Sequence, residues 1–144
     1  MKKAVSLLLA LALMASALTA CGTPDGGSGD EGEKGKTFYI GGIGPTTGDN
    51  SIYGLAVRNG AQIAIDEINE AGGINGYKIA YKFQDDESDA EKAVNAYNTL
   101  KDWGMQISLG SVTSKPCEVT SGDTFADRIF ALTPSASSVA TTEG

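Results

Sequence analysis

Hydroxyls gather at two places in this chain, Thr113 and Ser114 within LGSVTSKPCEV and Ser135 and Ser137 within LTPSASS, each directly after a short apolar run. A hydroxyl so placed can attack a carbonyl, cradle a phosphate or grip a carboxylate. Attack needs a base beside the hydroxyl to take its proton. The chain has no histidine, no G-x-S-x-G elbow and no Ser-x-x-Lys pair. Phosphate binding would rest on GGIGPTTG, residues 41–48, which has the glycines but neither G-x-G-x-x-G nor a G-K-[ST] ending, and Pro45 removes an amide. Its glycines fit better a strand end at which another backbone comes close. The acidic run Asp85, Asp86, Glu87 and Asp89 offers hard oxygen ligands but lacks the central glycine and closing glutamate of a calcium loop. A solvated turn whose carboxylates favour a helix N-terminus fits it better, so no metal and no cofactor is expected.

Carboxylate capture remains. Thr113, Ser114 and the amides after them at a helix start supply short donors and a favourable dipole, and Ser135 and Ser137 offer a second clamp. The residues alone leave two readings of Ser114 open: it holds a ligand, or it only caps its own helix. Cys117 is expected to be a small packed residue.

These loops need elements to position them. Thr37–Gly44 is an apolar run rich in aromatic and branched residues and closed by Gly44 and Pro45, which predicts a buried strand. Over residues 52–71, Val57, Ala61, Ala64, Ile65 and Ile68 recur at helical spacing, with Gly72 and Gly73 as the stop. After the turn at Asn75 and Gly76, Tyr77, Ile79, Tyr81 and Phe83 alternate as in a strand. Ser88 and Glu91 have capping-box spacing before a second helix that stops at Gly104. A strand over residues 105–109, a helix over Ser114–Asp127 with Pro116 in its first turn, and a strand over residues 129–132 complete the reading. After Pro134, SASSVATTEG reads as the start of a fourth helix. Alternating strands and helices with short loops predict an α/β fold, a parallel sheet with helices on both faces. Its ligand belongs beyond the carboxyl ends of the strands, in residues 45–53, 85–89, 110–116 and 134–138.

The start of the chain has its own logic. Lys2 and Lys3 precede an apolar run over residues 4–18, too short to span a bilayer comfortably, so residues 1–20 are expected to be an export signal. Leu18, Thr19, Ala20 and Cys21 resemble a bacterial lipobox, which implies a lipid on Cys21. Residues 21–36 are polar and glycine-rich and are expected to form a tether reaching on the order of 20 Å. Losing residues 1–20 removes two lysines and no acid, which moves the net charge from −7 to about −9. Such a surface repels nucleic acid. The folded part is expected over residues 37–144, as a fragment of a longer protein.

IGPTTGDNSIYG, GAQIAIDEINEAGGINGYKI, QDDESDAEKAVNAYNTL and ALTPSASSVATT together resemble the solute-binding proteins of ABC transporters for branched-chain amino acids, the leucine/isoleucine/valine-binding family. The resemblance runs from about Tyr39 to the last residue, and IDEINEAGGINGYKI is its most specific segment. It implies a type 1 periplasmic-binding fold of two lobes closing on a ligand, of which this chain is the incomplete first lobe. It also implies a non-enzymatic, extracytoplasmic protein anchored to the membrane by its lipid, with an amino acid as ligand and permease subunits as partners. A sensor that reports the same ligand without transport is the alternative, with an α/β hydrolase behind it.

By the resemblance, Ser114 and Ser137 hold the ligand carboxylate and ammonium, and the Ser135 carbonyl in the stretch through Ala136 accepts from the ammonium. Val112, Thr113 and Tyr53 line the side-chain pocket, although a tyrosine at a helix start also fits plain core. Some members join the loop after the second strand to the serine loop by a disulfide; the matching positions here are Ser88 and Thr113, which cannot form one.

Overall fold

A computed structural model of the chain describes residues 36–142. The expected export signal, Cys21 and all but the last residue of the tether lie outside them. Four parallel strands, β1 (Thr37–Gly44), β2 (Lys78–Asp85), β3 (Ile107–Leu109) and β4 (Phe130–Leu132), form one sheet in the order β2-β1-β3-β4. Three helices make the crossovers: α1 (Ser51–Glu70), α2 (Ala90–Trp103) and α3 (Ser114–Asp127). β1 pairs with β2 from Thr37 opposite Lys78 to Gly44 opposite Asp85, and on its other side with β3.

The chain therefore steps outward from β1 to β2, then returns across β1 to β3. That reversal opens a crevice at the carboxyl ends of β1 and β3, where ligands of open parallel sheets bind. It also puts α1 on one face and α2 and α3 on the other if each crossover keeps the usual right hand. The packing agrees: α1 lies on β1 and β2, whereas α2 and α3 lie on each other. Ile43 packs with Ala93, Ala96, Tyr97, Leu100 and Met105, the buried core on the α2 side. Tyr97 has no exposure, and its hydroxyl donates to Asp127 Oδ2 at 2.9 Å, so α2 and α3 are joined without an unpaired polar group.

β1 and α3 run as the sequence predicts, and the other boundaries move for visible reasons. β2 begins one residue later because Tyr77 exchanges both backbone hydrogen bonds with Ile74 across the Asn75-Gly76 turn. β3 is shortened from residue 105 because Met105 turns into the core and the Gln106 side chain takes the Tyr39 amide at 3.0 Å. β4 starts after Ile129, whose amide closes the end of α3 on the Thr124 carbonyl. On α1, Ile65 is buried but Ala64 faces solvent, so the inward stripe is narrower than its spacing predicts. Where the start of a fourth helix is expected, the described residues form a 3₁₀ turn, Val139–Thr142.

Two glycines set how closely the mouth of the sheet is built. A Cβ on Gly54 would stand 1.9 Å from the Pro45 carbonyl oxygen, so the first turn of α1 rests directly on the backbone that leaves β1. Gly110, at φ 135°, lies so close to Ile43 that a Cβ would meet its carbonyl oxygen at 2.4 Å. Neither position accepts a side chain without moving the loops.

Candidate functional site

On the β2 side of the crevice, the carboxylate of Asp85 holds two loops. Its Oδ1 accepts from the Thr46 amide at 2.8 Å and the Glu87 amide at 3.0 Å, and its Oδ2 accepts from the Thr47 hydroxyl at 2.6 Å. Burial works to raise the Asp85 pKa, but the hydrogen bonds from Thr47, Thr46 and Glu87 outweigh it and bring it down to about 2. Asp86 behaves oppositely. It has no exposure, Oδ1 accepts from the Ser88 amide at 2.9 Å, and Oδ2 has no partner among the described residues. Desolvation pushes its pKa up to about 6. The acidic run is thus not a uniformly solvated turn: Asp85 is a clasp, Asp86 is buried, and Asp89 caps α2 by accepting from the Lys92 amide at 2.9 Å.

Ser88 does not form the capping box its spacing with Glu91 predicts. It sits at φ 60°, and its hydroxyl accepts from Asn50 Nδ2 at 3.1 Å and lies 3.5 Å from the Thr113 hydroxyl. Ser88 thereby bridges the first loop to the third, at the two positions the family resemblance pairs. Beyond Asn50, whose carbonyl accepts from the Tyr53 amide at 3.1 Å, the α1 first turn presents Tyr53 with 54% of its surface exposed. Tyr53 is displayed at the mouth and is not core.

On the β4 side, Ser114 bonds to the loop after β4 and not to the start of its own helix. Its Oγ accepts from the Ser137 amide at 3.1 Å and the Ser138 amide at 3.3 Å, both from the loop after β4. It does not cap α3: the cap position is Thr113, which makes no side-chain capping bond. In the first turn of α3 Pro116 has no amide and the Cys117 amide donates to the Thr113 carbonyl at 3.0 Å, so the Ser114 and Lys115 amides are the ones without an intrahelical acceptor. The two bonds to the Ser114 Oγ explain why no helical turn forms directly after Pro134. With the amides of Ser137 and Ser138 drawn to Ser114, regular structure starts only where the Ser138 hydroxyl accepts from the Ala140 amide.

Val112 has no exposure and seals the floor beneath Gly44, so its side chain is packed under the mouth. Thr113 is half-buried at the rim, Ser135 and Ser137 are exposed, and Ala136 is half-buried. Cys117 is buried and free, and burial pushes its thiol pKa up. Hydrogen bonds therefore run from Tyr53 through Asn50 and Ser88 to Thr113, and from Ser114 to Ser137. Asp85, Ser88 and Thr133 belong to this frame; nothing in the sequence neighbours of Asp85 and Thr133 marks a side chain that bonds a distant loop, and Ser88 is marked only by the resemblance that pairs it with Thr113.

No group of three or more His, Cys, Asp or Glu among the described residues is placed to hold a metal ion. An apolar groove lined by Phe38, Ile40, Ile79 and Ile107 opens at the other, amino end of the strands, away from these loops.

A family profile described as periplasmic binding protein matches residues 37–144. The Leu/Ile/Val-binding protein homolog 1 of Brucella abortus is 43% identical over 74 residues, which cover 51% of this chain and 20% of the relative. The leucine-, isoleucine-, valine-, threonine- and alanine-binding protein of Pseudomonas aeruginosa is 36% identical over 101 residues, 69% of this chain and 27% of the relative. Among solved structures, the branched-chain amino acid transporter substrate-binding protein LivJ of Streptococcus pneumoniae, in complex with isoleucine, superposes with a TM-score of 0.71 at 31% identity, over 76% of this chain and 32% of that one. The chain thus spans between a fifth and a third of the length of these proteins.

Proposed function

The chain belongs to the periplasmic binding protein family, and from that premise we propose that it is the opening part of the first lobe of an extracytoplasmic lipoprotein that captures a branched-chain amino acid for an ABC importer. Cys21 carries the lipid, residues 22–36 are the tether, and permease subunits receive the ligand. The protein binds and releases its ligand without cutting a bond.

The observation that carries this reading is the state of the Ser114 hydroxyl. A hydroxyl has two lone pairs and one proton. Both lone pairs here are engaged, by the amides of Ser137 and Ser138. Only the proton is left, so the partner of Ser114 has to be an acceptor. The uncapped first turn of α3 adds amides and the positive end of a helix dipole beside it. A carboxylate satisfies all of these donors together. The ammonium of the same molecule then meets the Ser135 carbonyl and the Ser137 hydroxyl on the facing loop, and the ligand side chain lies between Tyr53 and Thr113 over the floor made by Val112. Taking a zwitterion out of water is costly unless each charge is paired, which calls for the second lobe as well.

Calorimetry on the full-length protein with leucine, isoleucine and valine tests this. Binding is expected for the amino acids and none for isoamylamine, which keeps the branched side chain but has no carboxylate. Ser114→Ala should weaken binding by about 1–3 kcal/mol, because the carboxylate loses a charge-assisted donor. Absence of heat with every amino acid tried overturns the reading. Cys21→Ala should release the protein from the membrane fraction and abolish palmitate labelling.

A further inference from the structure

β3 and β4 pair as far as Leu109 opposite Leu132, and the Gly110 amide donating to the Leu132 carbonyl at 2.9 Å is the last backbone rung between them. One residue further, a side chain takes over. The Thr133 hydroxyl donates to the Ser111 carbonyl at 2.9 Å and accepts from the Ala136 amide at 3.1 Å. The two ends of this bridge differ in firmness. Ser111 has no exposure, and its own hydroxyl meets the buried Thr120 hydroxyl at 3.3 Å, so the Ser111 end is anchored in the core. Ala136 lies in the loop between Ser135 and Ser137, whose positions nothing in the sheet fixes. Thr133 ties that loop to the core one residue before the Ser137 amide reaches Ser114.

We propose that Thr133 is a positioning residue of the ligand site: it sets the loop after β4 in register with the start of α3, so that the Ser135 carbonyl and the Ser137 hydroxyl stand opposite the Ser114 proton. The inference rests on the amino-acid-binding reading above and adds to it a residue that touches no ligand. It has a consequence that a general loss of stability lacks. The groups Thr133 places are those that grip the carboxylate and ammonium common to all α-amino acids, whereas the side-chain wall at Tyr53 belongs to the other half of the crevice. Losing the Thr133 hydroxyl should weaken every α-amino acid by the same factor and leave their order of preference unchanged.

The test compares wild type, Thr133→Val and Thr133→Ser in the full-length protein. Valine keeps the volume and removes both hydrogen bonds; serine keeps the hydroxyl. Two measurements are made: calorimetric affinities for leucine, isoleucine and valine, and amide hydrogen exchange at Ala136 and Ser137 without ligand. Thr133→Val is expected to weaken all three ligands about tenfold with unchanged ranking and faster exchange at both amides, and Thr133→Ser to stay within about twofold of wild type. The proposal is overturned if Thr133→Val binds as wild type does, if the ranking changes, or if Thr133→Ser fails to restore affinity. Should wild type bind none of the three, the binding reading falls by itself. The exchange data then still decide the placement of the loop: unchanged rates in Thr133→Val reject it, and accelerated rates uphold it.

Discussion

The two halves of the crevice are built from the same materials, short polar side chains bonding loop backbone, yet they differ in what is left over. On the β2 side every donor and acceptor of the Asp85 clasp is matched: two amides and a hydroxyl meet one carboxylate. On the β4 side Ser114 has both lone pairs engaged and its proton unassigned, above a helix with no side-chain cap. The clasp is a saturated joint, whereas the Ser114 proton is the donor that the proposed amino-acid site would use. Changes on the β2 side should therefore alter stability first, and changes on the β4 side affinity first.

The sharpest way to break that contrast is Gly54→Ala. The added methyl would stand 1.9 Å from the Pro45 carbonyl, against backbone that cannot turn aside. We expect a loss of about 3 kcal/mol in unfolding free energy, read as a lower denaturant midpoint with unchanged slope. A midpoint equal to wild type would mean that α1 does not rest on this loop. Next comes Asp85→Ala, which strands the Thr46 and Glu87 amides and should cost about 2 kcal/mol near pH 7. The Asp85 pKa is about 2 in the folded protein, below its ordinary value of 3.8. Its contribution is therefore present above pH 4 and lost as pH falls from about 4 to about 2. The variant should lack that acid-side loss, and a variant with the wild-type acid profile would assign the clasp elsewhere.

How much of this was legible in the sequence follows the same division between local and distant causes. β1 and α3 were readable to the residue because apolar runs, proline and cap positions act over a few residues. Ser88 misled because Ser88 with Glu91 and Asp89 with Lys92 offer the same spacing one residue apart, and only the pull of Asn50 and Thr113 on the Ser88 hydroxyl decides between them. The run after Pro134 has a helical composition, but its amides are claimed by Ser114 from another element. The hydroxyl loops stand out in the sequence because serine and threonine cluster there. Thr133 was invisible, since a threonine ending a strand looks ordinary until its partners 22 residues back and three ahead are known. Asp86 looked like its acidic neighbours, and burial cannot be read from a run of like charges.

Asp86 supplies the remaining test, and it runs opposite in sign to Asp85. Its folded pKa is about 6, above the ordinary 3.8, so the folded protein holds a proton there more tightly than the unfolded chain. Stability should therefore fall as pH rises from about 4 to about 6, and the penalty persists at neutral pH, where the buried carboxylate is charged and Oδ2 has no partner among the described residues. Asp86→Asn keeps the acceptor for the Ser88 amide and removes the charge. At pH 7 it should raise the unfolding free energy by about 1–2 kcal/mol, with the gain vanishing below about pH 4. A destabilised Asp86→Asn at pH 7 would mean that the second oxygen has an ionic partner, and the β2 side would then contain a charge-dependent contact beyond the Asp85 clasp. A gain confined to neutral pH, with ligand affinity unmoved, would place Asp86 beside Asp85 among the groups that shape the crevice without touching what it holds.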